Sequence, residues 1–162
     1  MKTYILILSR NFPAKHSREG EQTNFDTQTL NAIWSAHNIN CIDPKYGMKL
    51  HTIRSNYDLW VKRFEKIEAG KACLSIRYWT GKPYHSKQTE ICELTREDGI
   101  GLQELKFYNE CLQQPIISSG TTIKAEYLAE NDGLSYDSWK EWFRNYDIQK
   151  KLAIIHFTKF RY

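Results

Sequence analysis

The sequence predicts an α+β domain in which a mixed, strongly curled sheet or small β-barrel carries about three flanking helices. Several short apolar or alternating segments are typical of strands, and three amphipathic segments have the period of helices. The two kinds of segment are interleaved without the regular alternation of a parallel α/β fold. Because 162 residues can bury one core, we expect a single domain over residues 1–162.

The N-terminal half contains one predicted strand and two predicted helices. Tyr4–Leu8 is an uninterrupted apolar run, which is typical of a strand buried on both faces. A polar loop over residues 11–24 precedes a helix that Asp26 can cap. Asn56 can cap the second helix, and Gly70 is well placed to end it.

The segments that follow the second helix predict a hairpin. Ala72–Trp79 and Gln88–Leu94 alternate in polarity, with a turn at Thr80–Pro83 between them. Glu104–Tyr108 is a further strand or a short helix, and Ser118–Gly120 marks a break.

The C-terminal segment predicts a helix and a closing strand. Ser135 precedes a helix whose aromatic stripe includes Trp139, Trp142 and Phe143, and such a stripe usually belongs to the core. Leu152–Phe160 is apolar and close to the terminus, so we expect it to pair centrally in the sheet.

Composition narrows the classes of partner. The 23 Lys and Arg residues exceed the 19 Asp and Glu by four, which permits a polyanionic partner without requiring one. Aromatic residues make up 14% of the chain, and rings outside the core are candidates for stacking on bases. The oligomeric state is left open.

Cysteine spacing and the N-terminus bear on metals and location. The four cysteines are far apart in sequence, so we expect reduced thiols, no metal site and no cofactor. The apolar run near the N-terminus is too short for a signal peptide or a membrane span. We therefore expect a cytoplasmic protein with no membrane partner.

The run Gly47–Arg54 is the strongest candidate for a site. Lys49, Thr52 and Arg54 lie within six residues of one another, near a predicted strand. A lysine that is desolvated and crowded by an arginine loses basicity and can accept a proton from a nearby hydroxyl. Solvated charges at a strand end are the alternative interpretation.

Strand geometry sets a condition on this site. Side chains alternate between the faces of a regular strand, so an offset of three places Lys49 opposite Thr52. The two side chains can face each other only if Lys49 lies in a turn or at a bulge before the strand, and nearby Pro44 and Gly47 favour that.

The order of several motifs resembles the ASCH-domain family, which has the PUA-like β-barrel fold. The matching motifs, over about two thirds of the chain from residue 46 onward, are Gly47-x-Lys49-x-x-Thr52-Ile53-Arg54, Ala129–Leu134, Trp142-Phe143 and Ile154–Phe157. Residues 50–94 are also similar to a subgroup of bacterial and prophage proteins. The resemblance implies a cleft that accepts RNA, a nucleotide or a nucleoside.

One bacterial branch of that family hydrolyses the acetyl-amide of acetylcytidine, and its similarity to this chain implies catalytic roles. Thr52 is the implied nucleophile, Lys49 the base that activates it and Asp132 the group that transfers protons. Asp132 stands where the branch has a glutamate, which shortens the reach of the carboxylate, and Glu130 is a less well aligned substitute. His51 and Arg54 are implied ligand contacts, the arginine through its bidentate fork.

Two further segments supply candidate ligand-binding residues. The hairpin interleaves cations with rings at Arg77, Trp79, Lys82 and Tyr84, as expected where phosphates are held and bases stack. An ordinary solvated hairpin is the alternative. The polar loop is a candidate lid whose His16 and Arg18 reach a ligand, or it is simply irregular.

Three functions are consistent with these observations. The first, which the sequence favours, is an RNA-, nucleotide- or nucleoside-binding PUA-like domain, which needs only a basic cleft. The second is an amidohydrolase of a modified nucleoside, which also needs Lys49, Thr52 and Asp132 to converge within hydrogen-bond distance. The third is a protein-interaction domain that has no active site and exposes a large apolar patch.

Overall fold

The computed structural model describes residues 1–118 and 120–162, which form seven strands and four α-helices. The strands are β1 (Lys2–Ile7), β2 (His51–Arg54), β3 (Ala72–Trp79), β4 (Gln88–Leu94), β5 (Gly101–Phe107), β6 (Pro115–Ile117) and β7 (Leu152–His156). The helices are α1 (Phe25–Ala36), α2 (Tyr57–Glu68), α3 (Ala125–Asn131) and α4 (Tyr136–Phe143). The predicted break at Ser118–Gly120 includes Ser119, which lies outside the described residues.

The strands pair in two sheets. The first has the order β1-β3-β4, with β1 parallel to β3 and β4 antiparallel to it. The second has the order β2-β7-β5-β6 and is antiparallel throughout. Within the described part of the chain, no ladder joins the two sheets into a closed barrel. The mixed α+β architecture is confirmed, and four helices replace the predicted three.

Local capping explains why the second predicted helix forms where it does. The Asn56 side chain accepts a hydrogen bond from the backbone N–H of Leu59 at the start of α2. Gly70, just past its end, has φ of 68°, a conformation that glycine adopts without steric cost. The buried face of α2 consists of Trp60, Phe64 and Ile67.

Strand predictions vary in accuracy along the chain. β3 and β4 have the predicted bounds, and β7 pairs with strands on both sides, as expected for the closing strand. The prediction that the first strand is buried on both faces is wrong, since Leu6 is buried while Ile5 is 44% exposed. β1 lies at the edge of its sheet, and only one of its faces meets the core.

No helix in the described ranges is long and apolar enough to cross a membrane.

Candidate functional site

A small polar cavity lies between the end of β1, the strand β2 and the residues that follow α3. Its polar wall consists of Lys49, Thr52, Arg54 and Asp132. The rest of the lining is Leu8, Ser9, Phe25, Ile53, Leu134, Trp142 and Phe143. The volume is about 20 Å³, which is room for about one water molecule.

Lys49 and Thr52 reach this one cavity because the chain is not yet a strand at Lys49. The backbone N–H of Lys49 donates to the carbonyl of Gln28 in α1 at 3.0 Å, outside any strand ladder. β2 begins two residues later, at His51. Lys49 therefore lies before the strand, as it must if its side chain is to reach the same side as that of Thr52.

A buried amide in α1 holds the segment that leads to Lys49. The Asn31 side chain is fully buried, and its Nδ2 donates to the carbonyls of Asp43, Tyr46 and Gly47. Its Oδ1 accepts from the backbone N–H of Asp43 at 3.1 Å. These bonds fix residues 43–47 against α1, so the backbone at Lys49 is well positioned.

Asp132 is held at the C-terminal end of α3 by a helix-ending turn. Gly133 has φ of 81°, and its N–H donates to the carbonyl of Glu130. The N–H of Leu134 donates to the carbonyl of Ala129, which completes a Schellman motif. Asp132 lines the cavity, whereas Glu130 is exposed and lies outside it.

Lys49 and Asp132 form a buried ion pair. Lys49 Nζ lies 2.5 Å from Asp132 Oδ1 and also donates to the backbone carbonyl of Asp132, at the negative end of the α3 dipole. The lysine side chain is 1% exposed and the aspartate side chain 6%. The ammonium also lies 4.1 Å from the ring centroid of Phe25, within range of a cation–π interaction.

Burial moves both members of the pair toward their neutral forms. Loss of water lowers the pKa of Lys49, and the nearby Arg54 lowers it further, while the charge of Asp132 opposes the shift. Loss of water raises the pKa of Asp132, which the charge of Lys49 opposes. Both shifts bring the pKa values of the two groups closer together.

Arg54 and Thr52 complete the polar wall. The Arg54 guanidinium donates to the backbone carbonyls of Ile7 and Ile53, which ties β2 to the end of β1. Thr52 is 3% exposed, and its hydroxyl makes no hydrogen bond to a described residue. Lys49 Nζ bonds to Asp132 and not to Thr52, so the predicted convergence within hydrogen-bond distance is met for one pair only. The hydroxyl is thus available to a molecule in the cavity.

His51 lies behind Asp132 and does not line the cavity. Its side chain is fully buried, with Nε2 at 2.7 Å from the Tyr162 hydroxyl and Nδ1 at 4.0 Å from Asp132 Oδ1. Asn131 Nδ2 donates to the Tyr162 oxygen at 3.1 Å, which leaves the phenolic hydrogen to donate to His51 Nε2. In this tautomer the hydrogen of His51 is on Nδ1, which is buried and makes no hydrogen bond to a described residue.

Both histidines of this region are kept neutral. Antiparallel pairing places His51 opposite His156, and their ring centroids are 5.5 Å apart. Burial lowers the pKa of His51 well below its ordinary value and lowers that of His156 to about 3.

His16 and Arg18 do not reach the cavity. His16 is buried against α4, where its Nε2 lies 3.0 Å from the Ser138 carbonyl and its ring meets Trp142. Arg18 packs over the ring of Phe12 and pairs with the carboxylate of Glu21. The polar loop thus supports Trp142, one wall of the cavity, and contributes no ligand contact of its own there.

The hairpin residues separate into two groups. Trp79 and Tyr84 line a groove of about 620 Å³ beside the cavity. Arg77 is outside both, because its guanidinium pairs with Glu90 and donates to Ser75. Lys82 is exposed and also outside the lining of the groove.

Sequence reasoning missed the residues that hold the ion pair. Asn31, Asn131 and Tyr162 were not singled out, although each makes side-chain hydrogen bonds that position the site. The one available signal was Asn31, a polar side chain beside the apolar Ala32 and Ile33 of an amphipathic helix. Asn131 lies within the motif Ala129–Leu134, whose resemblance to the family implies a role for Asp132 and not for Asn131, and nothing local marks Tyr162.

Within residues 1–118 and 120–162 there is no group of three or more His, Cys, Asp or Glu residues that could hold a metal ion. Comparisons of the chain with protein-family models, with curated proteins and with solved structures find no match.

Proposed function

We propose that the chain hydrolyses an acyl-amide bond of a nucleoside-type ligand, in the manner of the acetylcytidine-hydrolysing branch of the ASCH domains. The observation that carries the proposal is that Lys49, Thr52 and Asp132 line one cavity although they come from two distant parts of the sequence. Assignment to a PUA-like ASCH domain is part of the same proposal and rests on the order of the motifs.

The proposed reaction assigns one role to each of these side chains. Thr52 Oγ1 attacks the acyl carbon while its proton passes to the neutral amine of Lys49, and the carbon–nitrogen bond then breaks. This step requires Thr52 Oγ1 and Lys49 Nζ to come within hydrogen-bond distance when substrate binds. The departing amine takes a proton from the pair formed by Lys49 and Asp132. Water, deprotonated by the same lysine, hydrolyses the threonine ester and releases the acid.

Burial supports Lys49 as a base more than as a phosphate contact. A lysine that is 1% exposed cannot neutralise a polyanionic backbone, whereas a lowered pKa suits a proton acceptor. Arg54 adds positive charge to the same wall, where an oxyanion would develop.

The cavity is too small for the acyl group of a substrate, so part of its wall must move when substrate binds. An acetyl group is larger than about 20 Å³ allows, so the proposal requires the wall at Trp142 to shift when substrate binds. That wall rests on Phe12 and His16 of the polar loop, with ring centroids 5.7 and 6.2 Å from that of Trp142.

The test is to incubate the protein with N4-acetylcytidine and to measure cytidine and acetate. We expect Lys49→Ala and the nearly isosteric Thr52→Val to lose at least about 100-fold in rate, and Thr52→Ser to retain activity. Lys66→Ala, which removes an exposed lysine from α2, is the control. Circular dichroism verifies that each variant folds. Absence of cytidine release by the wild type, or full activity of Thr52→Val, would overturn the proposal.

A second candidate function is binding of RNA, favoured by the exposed hairpin. Tyr84 is 87% exposed, and Lys82 and Lys87 flank it. Binding through these residues should weaken steeply as salt rises, because phosphate contacts release counterions. Titration of structured and single-stranded RNA at low and high salt tests this, and no binding at low salt would exclude it.

A further inference from the structure

A groove next to the catalytic cavity has the size of a small-molecule site. It lies between residues 9–13, which follow β1, and the turn of the β3–β4 hairpin, and its volume is about 620 Å³. Pockets that hold ligands of nucleoside size typically measure about 300–1,000 Å³. The cavity at Lys49, with about 20 Å³, cannot hold such a ligand by itself.

The groove and the cavity share part of their lining. Leu8 and Ser9 belong to both, so a ligand in the groove can direct one substituent past Ser9 toward Thr52. Ser9 is exposed at this point, whereas Leu8 is buried beneath it.

Two aromatic rings form one wall of the groove. The ring centroids of Trp79 and Tyr84 are 5.4 Å apart, and the tyrosine side chain is 87% exposed. Tyr84 also has φ of 64°, a left-handed conformation that costs a non-glycine residue free energy. An exposed ring held in that conformation adds little to the core. Its position therefore favours a role in binding.

Free amide side chains lie on the other walls. Asn11, Gln22 and Gln88 line the groove, and their side chains make no hydrogen bond to a described residue. An amide both donates and accepts, as does the edge of a nucleobase. Stacking rings together with such amides match a planar heteroaromatic ring.

The charges in the groove favour a single nucleoside over an RNA strand. Among the described residues that line it, Arg10 is the one cation, and its Nη1 donates to the carbonyl of Thr80 across the groove. Arg77 and Lys82, which a phosphate backbone would need, are not part of the lining.

We infer that this groove binds the heteroaromatic base of a single nucleoside by stacking on Trp79 and Tyr84, and that it places the acylated amine of that base at the Lys49–Thr52 cavity. The second half of the inference rests on the proposed amidohydrolase function. The first half is a binding site that stands without it.

Calorimetric titration with cytidine tests the groove separately from catalysis. We expect cytidine to bind, ribose not to bind, and Tyr84→Ala to weaken cytidine binding about ten-fold or more. Tyr108→Ala is the matched control, because Tyr108 is 55% exposed and lies outside the groove. That control should bind cytidine as the wild type does.

Several outcomes would overturn the inference. These are no cytidine binding, equal binding of ribose, unchanged affinity in Tyr84→Ala, or binding of an RNA oligonucleotide without binding of cytidine. Cytidine binding that depends on Tyr84, combined with no hydrolysis of N4-acetylcytidine, would support the groove and refute the amidohydrolase proposal. The two failures are thereby distinguished.

Discussion

Replacing Asp132 by asparagine tests whether the carboxylate is what permits a lysine to be buried in this fold. The substitution keeps the size and shape of the side chain and removes its charge. Lys49 Nζ lies 2.5 Å from Asp132 Oδ1 with 1% of its side chain exposed, so water cannot take the place of the lost partner. We therefore expect a large loss of stability at neutral pH.

The magnitude follows from the burial of the pair. Removing one partner of a buried ion pair costs about 3–5 kcal/mol in the free energy of unfolding. With an unfolding entropy of about 2.1 cal/mol/K per residue, the 162-residue chain would lose about 9–15 °C in its melting midpoint. Thermal unfolding followed by circular dichroism measures this shift.

The loss should also depend on pH. Without the attraction of Asp132, the pKa of Lys49 falls below its already lowered value, so the folded variant binds fewer protons than the unfolded chain. Its free energy of unfolding then rises with pH up to the unfolded lysine pKa of about 10.4. The deficit against wild type should be smaller at pH 10 than at pH 7.

Two controls separate charge from shape. Asp137→Asn breaks an exposed ion pair, because Asp137 pairs with Lys140 and its side chain is 89% exposed. We expect its melting midpoint to be close to that of the wild type. Lys49→Met combined with Asp132→Asn removes the buried charge, so the double variant should be more stable at pH 7 than Asp132→Asn alone. An Asp132→Asn midpoint equal to that of the wild type at pH 7 would refute the reasoning.

Three further predictions concern the surroundings of the pair. Gly133→Ala should lower the melting midpoint more than Gly20→Ala. Both glycines have φ of 81°, but an added Cβ contacts other atoms only at Gly133, where Lys49 Cβ would lie 3.3 Å away. Equal losses would mean that backbone strain alone matters. His156→Phe should make the protein less sensitive to acid. Because the pKa of His156 is about 3 in the folded state, the free energy of unfolding of the wild type falls between about pH 6.5 and pH 3, by about 1.4 kcal/mol per pH unit. An unchanged acid denaturation curve would contradict this. Tyr162→Phe should cost about 1–3 kcal/mol in the free energy of unfolding and shift the pH profile of the proposed hydrolysis, because it leaves His51 Nε2 without its donor. A stability and a pH profile equal to those of the wild type would contradict this role of Tyr162.

Elements whose signals are local were predictable from sequence. Asn56 and Gly70 delimit α2 by short-range hydrogen bonding and backbone conformation, and the alternation of Ala72–Trp79 locates β3. α3 was missed because seven residues make about two turns, too few for a clear helical period. The exposure of Ile5 was missed because an apolar run does not reveal whether its strand lies at a sheet edge.

The candidate site was predictable only in part. Lys49, Thr52 and Asp132 were named together through the order of motifs in a resembling family. Periodicity would have placed Lys49 and His51 on one face of a strand, but the bond from Lys49 to Gln28 keeps Lys49 out of the ladder, while His51 turns toward Tyr162.

The amino-acid sequence by itself determined the mixed α+β class, the ends of α2 and the hairpin strands, and the presence of unusual polar side chains around Lys49. Those features depend on interactions between residues close together in the chain. Burial of Lys49, its contact with Asp132 and the position of Tyr162 behind them depend on the register of β2 with β7 and on the turn after α3. Such contacts join residues 83 and 111 positions apart, and no local pattern encodes them.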